Sequence, residues 1–381
     1  MTPPAVLQRT ADRPSVVLVG AHGYGRGHLE RLSRLDAAGR VRLAGVADPR
    51  PLDDEGRALA GAARYAADAA ELIAAVEPVV VVLATPVHTH VDLALTAFRA
   101  GAHVLLEKPP TPSLAGFEEL LAAQRAAGVA CQVGFQAYGS GAVDELSRLI
   151  ADGALGQVNR IGVTGLWWRD VDYWSRATWA GRRTLDGRPV NDGALTNPFA
   201  HGVALGLRLD GSPGAASVGQ VEVETYRTRS AEAHDTASAR VVTARGTTVT
   251  IALTLCAEEP RAPTVEVGGS AGTAILHYTE DRLSLPAGES GYTRVDLLEN
   301  LLDHLADPGV ALRAPLVDTR AFTEVVEAVR CAPAPTSVQQ SALTGLADVV
   351  RRATAGSQLF SELGLGWATA QPFRWTPPDE R

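Results

Sequence analysis

The first third of the chain alternates short apolar runs with helix-patterned stretches, and this alternation narrows the available folds more than any other feature. Residues 16–20 (VVLVG), 41–47 (VRLAGVA), 79–84 (VVVVLA) and 103–106 (HVLL) are almost unbroken apolar runs, as strands buried on both faces are. Helical stretches follow them at about 25–38, 68–76, 88–100 and 113–127, with Gly101 and Gly128 closing the last two. Parallel strands need a long crossover, which a helix supplies. The pattern therefore predicts a doubly wound parallel sheet, with ligands at the carboxyl ends of its strands.

The pattern changes after about residue 137. A helix near 141–151 leads into short strands at 157–165, 217–226, 239–245, 247–256 and 263–268, with turn residues at Gly246 and Gly268–Gly269. Further helices are expected near 318–330 and 337–355. This half reads as an α+β domain around an open, mostly antiparallel sheet. Residues 1–14 hold Pro3, Pro4, Arg9 and Asp12 without an apolar core, so they read as a disordered leader and not a secretion signal. The last ten or so residues read as a loose tail.

Composition excludes several function classes. Net charge is −8 with both signs mixed along the chain, which disfavours a polyanion-binding surface and therefore a nucleic acid partner. No stretch approaches the roughly twenty apolar residues of a membrane span. Cys131, Cys256 and Cys331 are scattered, fitting reduced core thiols in a cytoplasmic protein. All 35 basic residues but one are arginine, and the exception is Lys108. An ammonium is compact and has a tunable pKa, and a guanidinium has neither property. A lysine kept at this one position points to chemistry that needs an amine.

The first strand runs into Gly20-Ala21-His22-Gly23-Tyr24-Gly25 and then a helix. Read as G-x-G-x-x-G, the loop has His22 at the second glycine's place, with Gly23 as the substitute that lets backbone approach a pyrophosphate. Asp48 ends the second strand, where a carboxylate can bind ribose hydroxyls, and this favours NAD. Arg50 could accommodate a 2′-phosphate, which leaves NADP open, although a solvated loop charge is the plainer reading.

The next two strand ends carry Ala84-Thr85-Pro86-Val87-His88-Thr89-His90 and Gly101-Ala102-His103-Val104-Leu105-Leu106-Glu107-Lys108-Pro109-Pro110. From about residue 15 to 137 this order and spacing resembles the family of glucose–fructose oxidoreductase, inositol dehydrogenase and MocA. The resemblance implies an N-terminal Rossmann domain over 15–137 and a C-terminal substrate and oligomerisation domain over 138–381, an α/β protein whose open sheet face commonly pairs subunits into dimers or tetramers. It implies that Lys108 bonds both cofactor ribose and substrate hydroxyl, that a cis bond precedes Pro109, and that Glu107 helps place the lysine or the substrate. It also implies that Thr85 and Pro86 turn over the nicotinamide, with His90 at the cofactor side or bonded to backbone. His88 and His90 form an H-x-H pair, but no third ligand of matching pattern accompanies them, so no metal is expected.

The family's second-domain pattern is G-G-x-L-x-D-x-G-x-H, and Gly193-Ala194-Leu195-Thr196-Asn197-Pro198-Phe199-Ala200-His201 is similar to it. Asn197 stands in the aspartate's place and Phe199 in a glycine's. If both lie on one helix, Asn197 and His201 share a face. His201 would then take the hydroxyl proton, with Lys108 steadying the alkoxide or acting as base itself. Asn197 is read as a substrate hydrogen-bonder, and Asp192 as a fallback carboxylate or a turn residue. Four of the six tryptophans, Trp167, Trp168, Trp174 and Trp179, fall among Arg169, Tyr173, Arg176, Arg182 and Arg183. Arg169, Trp179 and Arg183 are the substrate candidates, packing being the alternative. The expected activity is NAD(P)-dependent hydride transfer at a hydroxyl-bearing carbon of a sugar, inositol or derivative. Alternatives are NAD-assisted glycoside cleavage and dinucleotide sensing without catalysis.

Overall fold

The computed structural model describes residues 13–210 and 218–378. The leader up to residue 12 and the last three residues lie outside the described residues. The chain divides into two compact units: Met1–Thr111, Ala115–Gly134 and Leu297–Leu316 form the first, and Pro112–Leu114, Phe135–Asp296 and Val317–Arg381 the second. The expected boundary near 137 falls beside the Gly134–Phe135 division. The return of Leu297–Leu316 to the first unit was not anticipated.

In the first unit, β1 (Ser15–Val19), β2 (Arg42–Ala47), β3 (Arg64–Ala66), β4 (Val80–Leu83), β5 (His103–Leu106) and β6 (Cys131–Val133) form a six-stranded sheet. Its order is β3-β2-β1-β4-β5-β6, with every pair parallel. The crossovers carry α1 (Tyr24–Ala37), α2 (Asp54–Ala60), α3 (Ala69–Val76), α4 (His90–Arg99) and α5 (Leu114–Ala127). Val16, Val17, Leu18 and all of β4 are sealed from solvent. Each such aliphatic side chain contributes roughly 1.5–3 kcal/mol by leaving water, so the sheet centre is the rigid base beneath the strand ends. Between β1 and β4 the winding reverses, and this is where a doubly wound sheet opens a crevice. The motif-bearing residues Gly20, Asp48, Thr85 and Lys108 follow the carboxyl ends of β1, β2, β4 and β5.

The returning segment is held at the sheet edge by polar groups. Gln132 bridges Pro315, and Val133 donates to Ala314 O at 2.8 Å. The buried Gln132 amide donates to Asn300 Oδ1 at 3.1 Å, and Ala314 N donates back to Gln132 Oε1 at 3.1 Å. Buried amides need partners, so these two side chains specify each other's position.

The second unit holds a ten-stranded sheet in the order 288–291, 282–285, 273–277, 256–269, β7 (Val158–Trp168), 248–254, 236–243, 218–227, 336–337, with Phe373–Trp375 added against Val218–Arg227. Most pairs are antiparallel, and β7 runs parallel to Thr248–Thr254. Alternation along β7 sorts its two faces. A Cβ on Gly165 would stand 2.5 Å from the Phe199 ring, and one on Gly206 would stand 2.7 Å from Val163, so Val163 and Gly165 face helix Ala200–Leu209. A Cβ on Gly162 would stand 2.9 Å from Thr354, so the opposite face meets helix Leu346–Gly356.

Several expectations change here. The helix expected over 337–355 is shorter, Leu346–Gly356, because Thr336–Ser337 joins the sheet and Gln340–Ala342 forms a turn. The tail is not loose throughout: Phe373–Trp375 pairs with Val221–Val223, and Arg374 Nε donates to Glu222 Oε1 at 2.8 Å. The face expected to lie open is covered by the chain's own C-terminal segment. There Leu343, Leu346, Val349, Val350, Ala353 and Phe360 pack with Leu166, Tyr226, Ala252 and Cys256. Of the three cysteines, Cys131 and Cys256 are buried, but Cys331 is exposed at the end of its helix. No helix among the described residues is long and apolar enough to cross a membrane.

Candidate active site

The nucleotide loop is built by exclusion of side chains. Gly20 has φ +86°, and a Cβ there would lie 2.5 Å from Ala84 O; one on Gly25 would lie 2.0 Å from Gly20 O. Neither position admits any other residue. Gly23 differs, with φ +57° and no heavy atom within 4 Å of a Cβ, so its front is open. It is the N-cap of the fourteen-residue α1, which has no side-chain cap and no acidic residue in its first turn. The first-turn amides therefore face a space that suits a diphosphate. Tyr24, 63% exposed, opens α1 with its ring edge-on to His28 at 5.6 Å.

His22, at the second glycine's place, turns to Asp48: its Nδ1 lies 2.9 Å from Asp48 Oδ2. Asp48 is buried and also accepts from Ala21 N and Arg50 N, each at 2.9 Å. Burial opposes its ionisation, but the adjacent His22 ring and the bonds from Ala21 and Arg50 outweigh that and hold the carboxyl below its ordinary range. Arg50 extends mostly into solvent, its Nε 3.8 Å from Asp48 Oδ1.

Thr85 covers the loop, its methyl 3.0 Å from where a Gly20 Cβ would be, and its hydroxyl accepts from Thr89 Oγ1 at 2.8 Å. Pro86 N-caps the following turn, and its carbonyl accepts from Thr89 Oγ1 at 2.7 Å. His90 is only 1% exposed and spans two strand ends, with Nδ1 2.9 Å from Pro109 O and Nε2 2.8 Å from Thr85 O. Burial pushes its pKa down against the pull of these two carbonyls. Both ring nitrogens thus face backbone, so His90 is a clamp between the β4 and β5 ends rather than a cofactor contact, and the H-x-H pair offers no second metal ligand. Among the described residues no group of three or more His, Cys, Asp or Glu is arranged to hold a metal.

Glu107 and Lys108 follow β5, and the Lys108–Pro109 bond is cis. Glu107 is buried; its Oε1 lies 2.9 Å from His28 Nε2, and its Oε2 accepts from Lys108 N at 3.2 Å. A Cβ on Gly134 would stand 2.7 Å from Glu107 Oε1, so that glycine leaves the carboxylate its room. His28 was missed in the sequence. The signal was there: it sits in the inward stripe Gly25, His28, Leu29, Leu32, Leu35 of α1, where a polar residue needs a buried partner.

In the second unit, Asn197 is not on the helix with His201. Helix Ala200–Leu209 starts after it, because a residue preceding proline is driven out of the helical region and Pro198 follows Asn197. The Asn197 amide donates to Asp192 Oδ1 at 2.6 Å. Asp192, 3% exposed, also accepts from Gly181 N at 2.8 Å and pairs with Arg176 at 3.0 Å, so it is an internal organiser and no fallback base. His201 stands half-buried on the first turn of the helix, edge-on to Phe135 at 5.8 Å. Phe199, in place of a glycine, is fully buried and lies 4.5 Å from the Trp167 ring. The turn before it is pinned by His234, which sequence reading also missed. The His234 Nε2 accepts from Leu195 N at 3.1 Å, and its carbonyl accepts from Ala194 N at 3.0 Å. Burial, with the Arg183 cation adding to it, lowers the His234 pKa to about 3, so the ring is neutral and its lone pair free for that amide.

The three substrate candidates separate. Arg183 donates to the carbonyls of Val329, Arg330 and Ala332 at 3.4, 3.0 and 2.6 Å; it caps the C-terminus of helix Arg320–Cys331 and is spent there. Trp179 lies under the Arg176 guanidinium at 4.6 Å. Arg169 stacks on Trp167 at 4.8 Å and on Tyr173 at 5.2 Å.

Residues 15–135 match the description "Oxidoreductase family, NAD-binding Rossmann fold", and residues 143–275 match the GFO/IDH/MocA C-terminal domain. Inositol 2-dehydrogenase 4 of Saccharopolyspora erythraea is 38% identical over 145 residues, 37% of this chain and 42% of that protein. D-apiose dehydrogenase of Paraburkholderia graminis is 31% identical over 147 residues, 39% of each chain. The matches thus span only about two fifths of these relatives. Among solved structures, the WlbA dehydrogenase of Bordetella pertussis, crystallised with NADH and UDP-GlcNAcA, shares the fold at TM-score 0.68 and 22% identity over 83% of this chain and 94% of that one. The aldose–aldose oxidoreductase of Caulobacter crescentus does so at TM-score 0.67 and 20% identity, covering 83% and 96%. With both domains matched in order, the chain belongs to the Gfo/Idh/MocA family of oxidoreductases and carries its NAD-binding Rossmann domain.

Proposed function

We propose that this protein oxidises a hydroxyl-bearing carbon of a sugar, inositol or derivative with NAD, reversibly. The observation that carries the reading is the chain's single lysine, at the carboxyl end of β5, with its backbone amide on the buried carboxylate that His28 holds. The loop Gly20–Gly25 and the first amides of α1 suit the diphosphate, Asp48 the adenosine ribose, and Thr85 and Pro86 the nicotinamide side. Bound NAD supplies a hydride acceptor. Lys108 is assigned the task of holding the substrate hydroxyl and stabilising negative charge as it grows on that oxygen. His201 is assigned the hydroxyl proton, its neutral imidazole being suited to that near pH 7. Asn197, turned to Asp192, shapes the turn before His201. A homodimer or homotetramer in the cytoplasm accords with the family and with two buried, unpaired thiols.

The test is a screen of polyols, inositols, aldoses and sugar acids with NAD and NADP, read at 340 nm, on the wild type and Lys108→Arg. Reduced cofactor should accumulate with at least one polyol. The variant should lose turnover while NAD affinity stays within about tenfold, because diphosphate and adenosine contacts lie elsewhere. Near-normal activity of the variant would refute the assignment; glycoside turnover without net absorbance change would replace oxidation with NAD-assisted cleavage.

A further inference from the structure

The second unit carries two arginines that the fold has left without counter-charge. Arg169 and Arg229 are both half-buried, and among the described residues neither has a carboxylate within 4.0 Å. Arg229 Nη2 donates to Arg169 O at 3.0 Å, and Arg169 Nη1 donates to Trp168 O at 3.2 Å, so the pair is joined through backbone. Each guanidinium lies on aromatic faces: Arg169 on Trp167 and Tyr173, and Arg229 on Trp168 at 5.6 Å. The Nε of both, and the indole Nε1 of Trp174, are buried without an acceptor among the described residues. Their neighbours are treated otherwise. Arg176 is neutralised by Asp192 at 3.0 Å, and Arg182 reaches Glu232 at 3.9 Å.

Even a half-buried cation without an anion carries a desolvation cost, and stacking on indole offsets part of it. Buried N–H groups left unmatched are costly too. Here two cations and three donors of this kind occur together, and the patch connects directly to the turn that precedes His201. Arg169 lies on Trp167, and Trp167 lies on Phe199 at 4.5 Å. Phe199 is two residues before His201. Tyr173, whose ring lies 5.2 Å from the Arg169 guanidinium, keeps its proton, because burial and the nearby Asp192 charge push its pKa up to about 12. The patch therefore presents donors and cations, and the nearby Asp192 carboxylate is already paired with Arg176.

We propose that Arg169 and Arg229 form an anion subsite for the substrate, whose ring carries a carboxylate or phosphate besides the hydroxyl that is oxidised. This deepens the function proposed above and rests on it. Guanidinium groups are matched to both anions by their paired donors, and the indole faces suit the sugar ring beside them.

The experiment titrates the NAD-loaded protein with D-glucuronate, glucose 1-phosphate and D-glucose, read by tryptophan fluorescence, and measures turnover of each at 340 nm. One or both anionic sugars should bind at least tenfold more tightly than glucose. Arg169→Gln should remove most of that advantage, read as the ratio of acid to glucose affinity in the same protein. Arg169→Lys, which keeps the charge and guards against a variant that does not fold, should retain an intermediate advantage. Carboxylate and phosphate are told apart by which of the two sugars gains. Glucose bound and oxidised as well as the acids, or an acid advantage untouched in Arg169→Gln, overturns the subsite while leaving the dehydrogenase reading in place. No turnover of these three or of any polyol in the wider screen overturns both.

Discussion

The buried imidazole of His234 makes a stability prediction that can be worked through. It lies neutral at 3% exposure, its lone pair is bound to Leu195 N, and a Cβ on Gly193 would come within 2.2 Å of its ring. Its pKa falls from 6.5 to about 3 in the fold. Below 6.5 the unfolded chain therefore binds a proton that the folded one refuses. Stability is complete above that value and falls as pH drops toward 3. Between pH 7 and pH 5 the loss from this group alone is ~2 kcal/mol. All six tryptophans lie in the second unit, so urea unfolding followed by tryptophan fluorescence reads that unit alone. His103, lowered to about 4 by burial and by His304, adds its own acid sensitivity, but it does so equally in a His234→Gln variant. The quantity to measure is thus the wild-type loss between the two pH values minus the variant's, expected near ~2 kcal/mol. The variant should be the less stable protein at pH 7 and the less acid-sensitive one. Equal losses in both proteins would show that His234 takes a proton inside the fold, and the account of the Leu195 turn would fail.

Three further outcomes follow from the first unit. Gly25→Ala places a methyl 2.0 Å from Gly20 O; it should abolish NAD binding in calorimetry and cost about 1–3 kcal/mol in circular-dichroism melts, and retained NAD affinity would refute the loop. Asp48→Ala should weaken NAD by about tenfold and NADP by less; equal losses would mean the carboxylate only shapes the loop through Ala21 and Arg50. Glu107→Gln removes the charge facing His28 and should lower kcat by roughly tenfold with NAD affinity little changed, as positioning groups do; an unchanged kcat would leave the pair a packing feature.

How much of this was legible in the sequence depends on the range of the interaction that fixes each part. The parallel strands were, because burial on both faces writes itself as a continuous apolar run such as 79–84. The loop glycines were, because steric exclusion leaves only one residue type. Short β3 and β6 left too little pattern to see. The return of Leu297–Leu316 was hidden because its determinant is one amide pair, Gln132 with Asn300, far apart in the chain. Arg183 was misread for the same reason: the carbonyls it caps lie about 150 residues later, and no local pattern tells a capping guanidinium from one awaiting a substrate. Asn197 could have been placed better, since Pro198 already rules out a helix running through it. Arg169 was picked on type alone. What singles it out, the want of a neighbouring carboxylate, exists only in three dimensions.

The C-terminal stretch that lies over the large sheet also limits how copies of this chain could assemble. Glu224 is wholly enclosed and relies on Ser361 as well as Tyr226 and Ser238 for its hydrogen bonds, and Arg240 ties Glu222 to Glu362. Peeling the stretch away would break the Glu224–Ser361 and Arg240–Glu362 contacts as well as wetting Leu346, Val350 and Phe360. Over these central strands each molecule thus supplies its own apolar cover. Any pairing of subunits must therefore either use a different patch or pack onto the outside of this built-in cover.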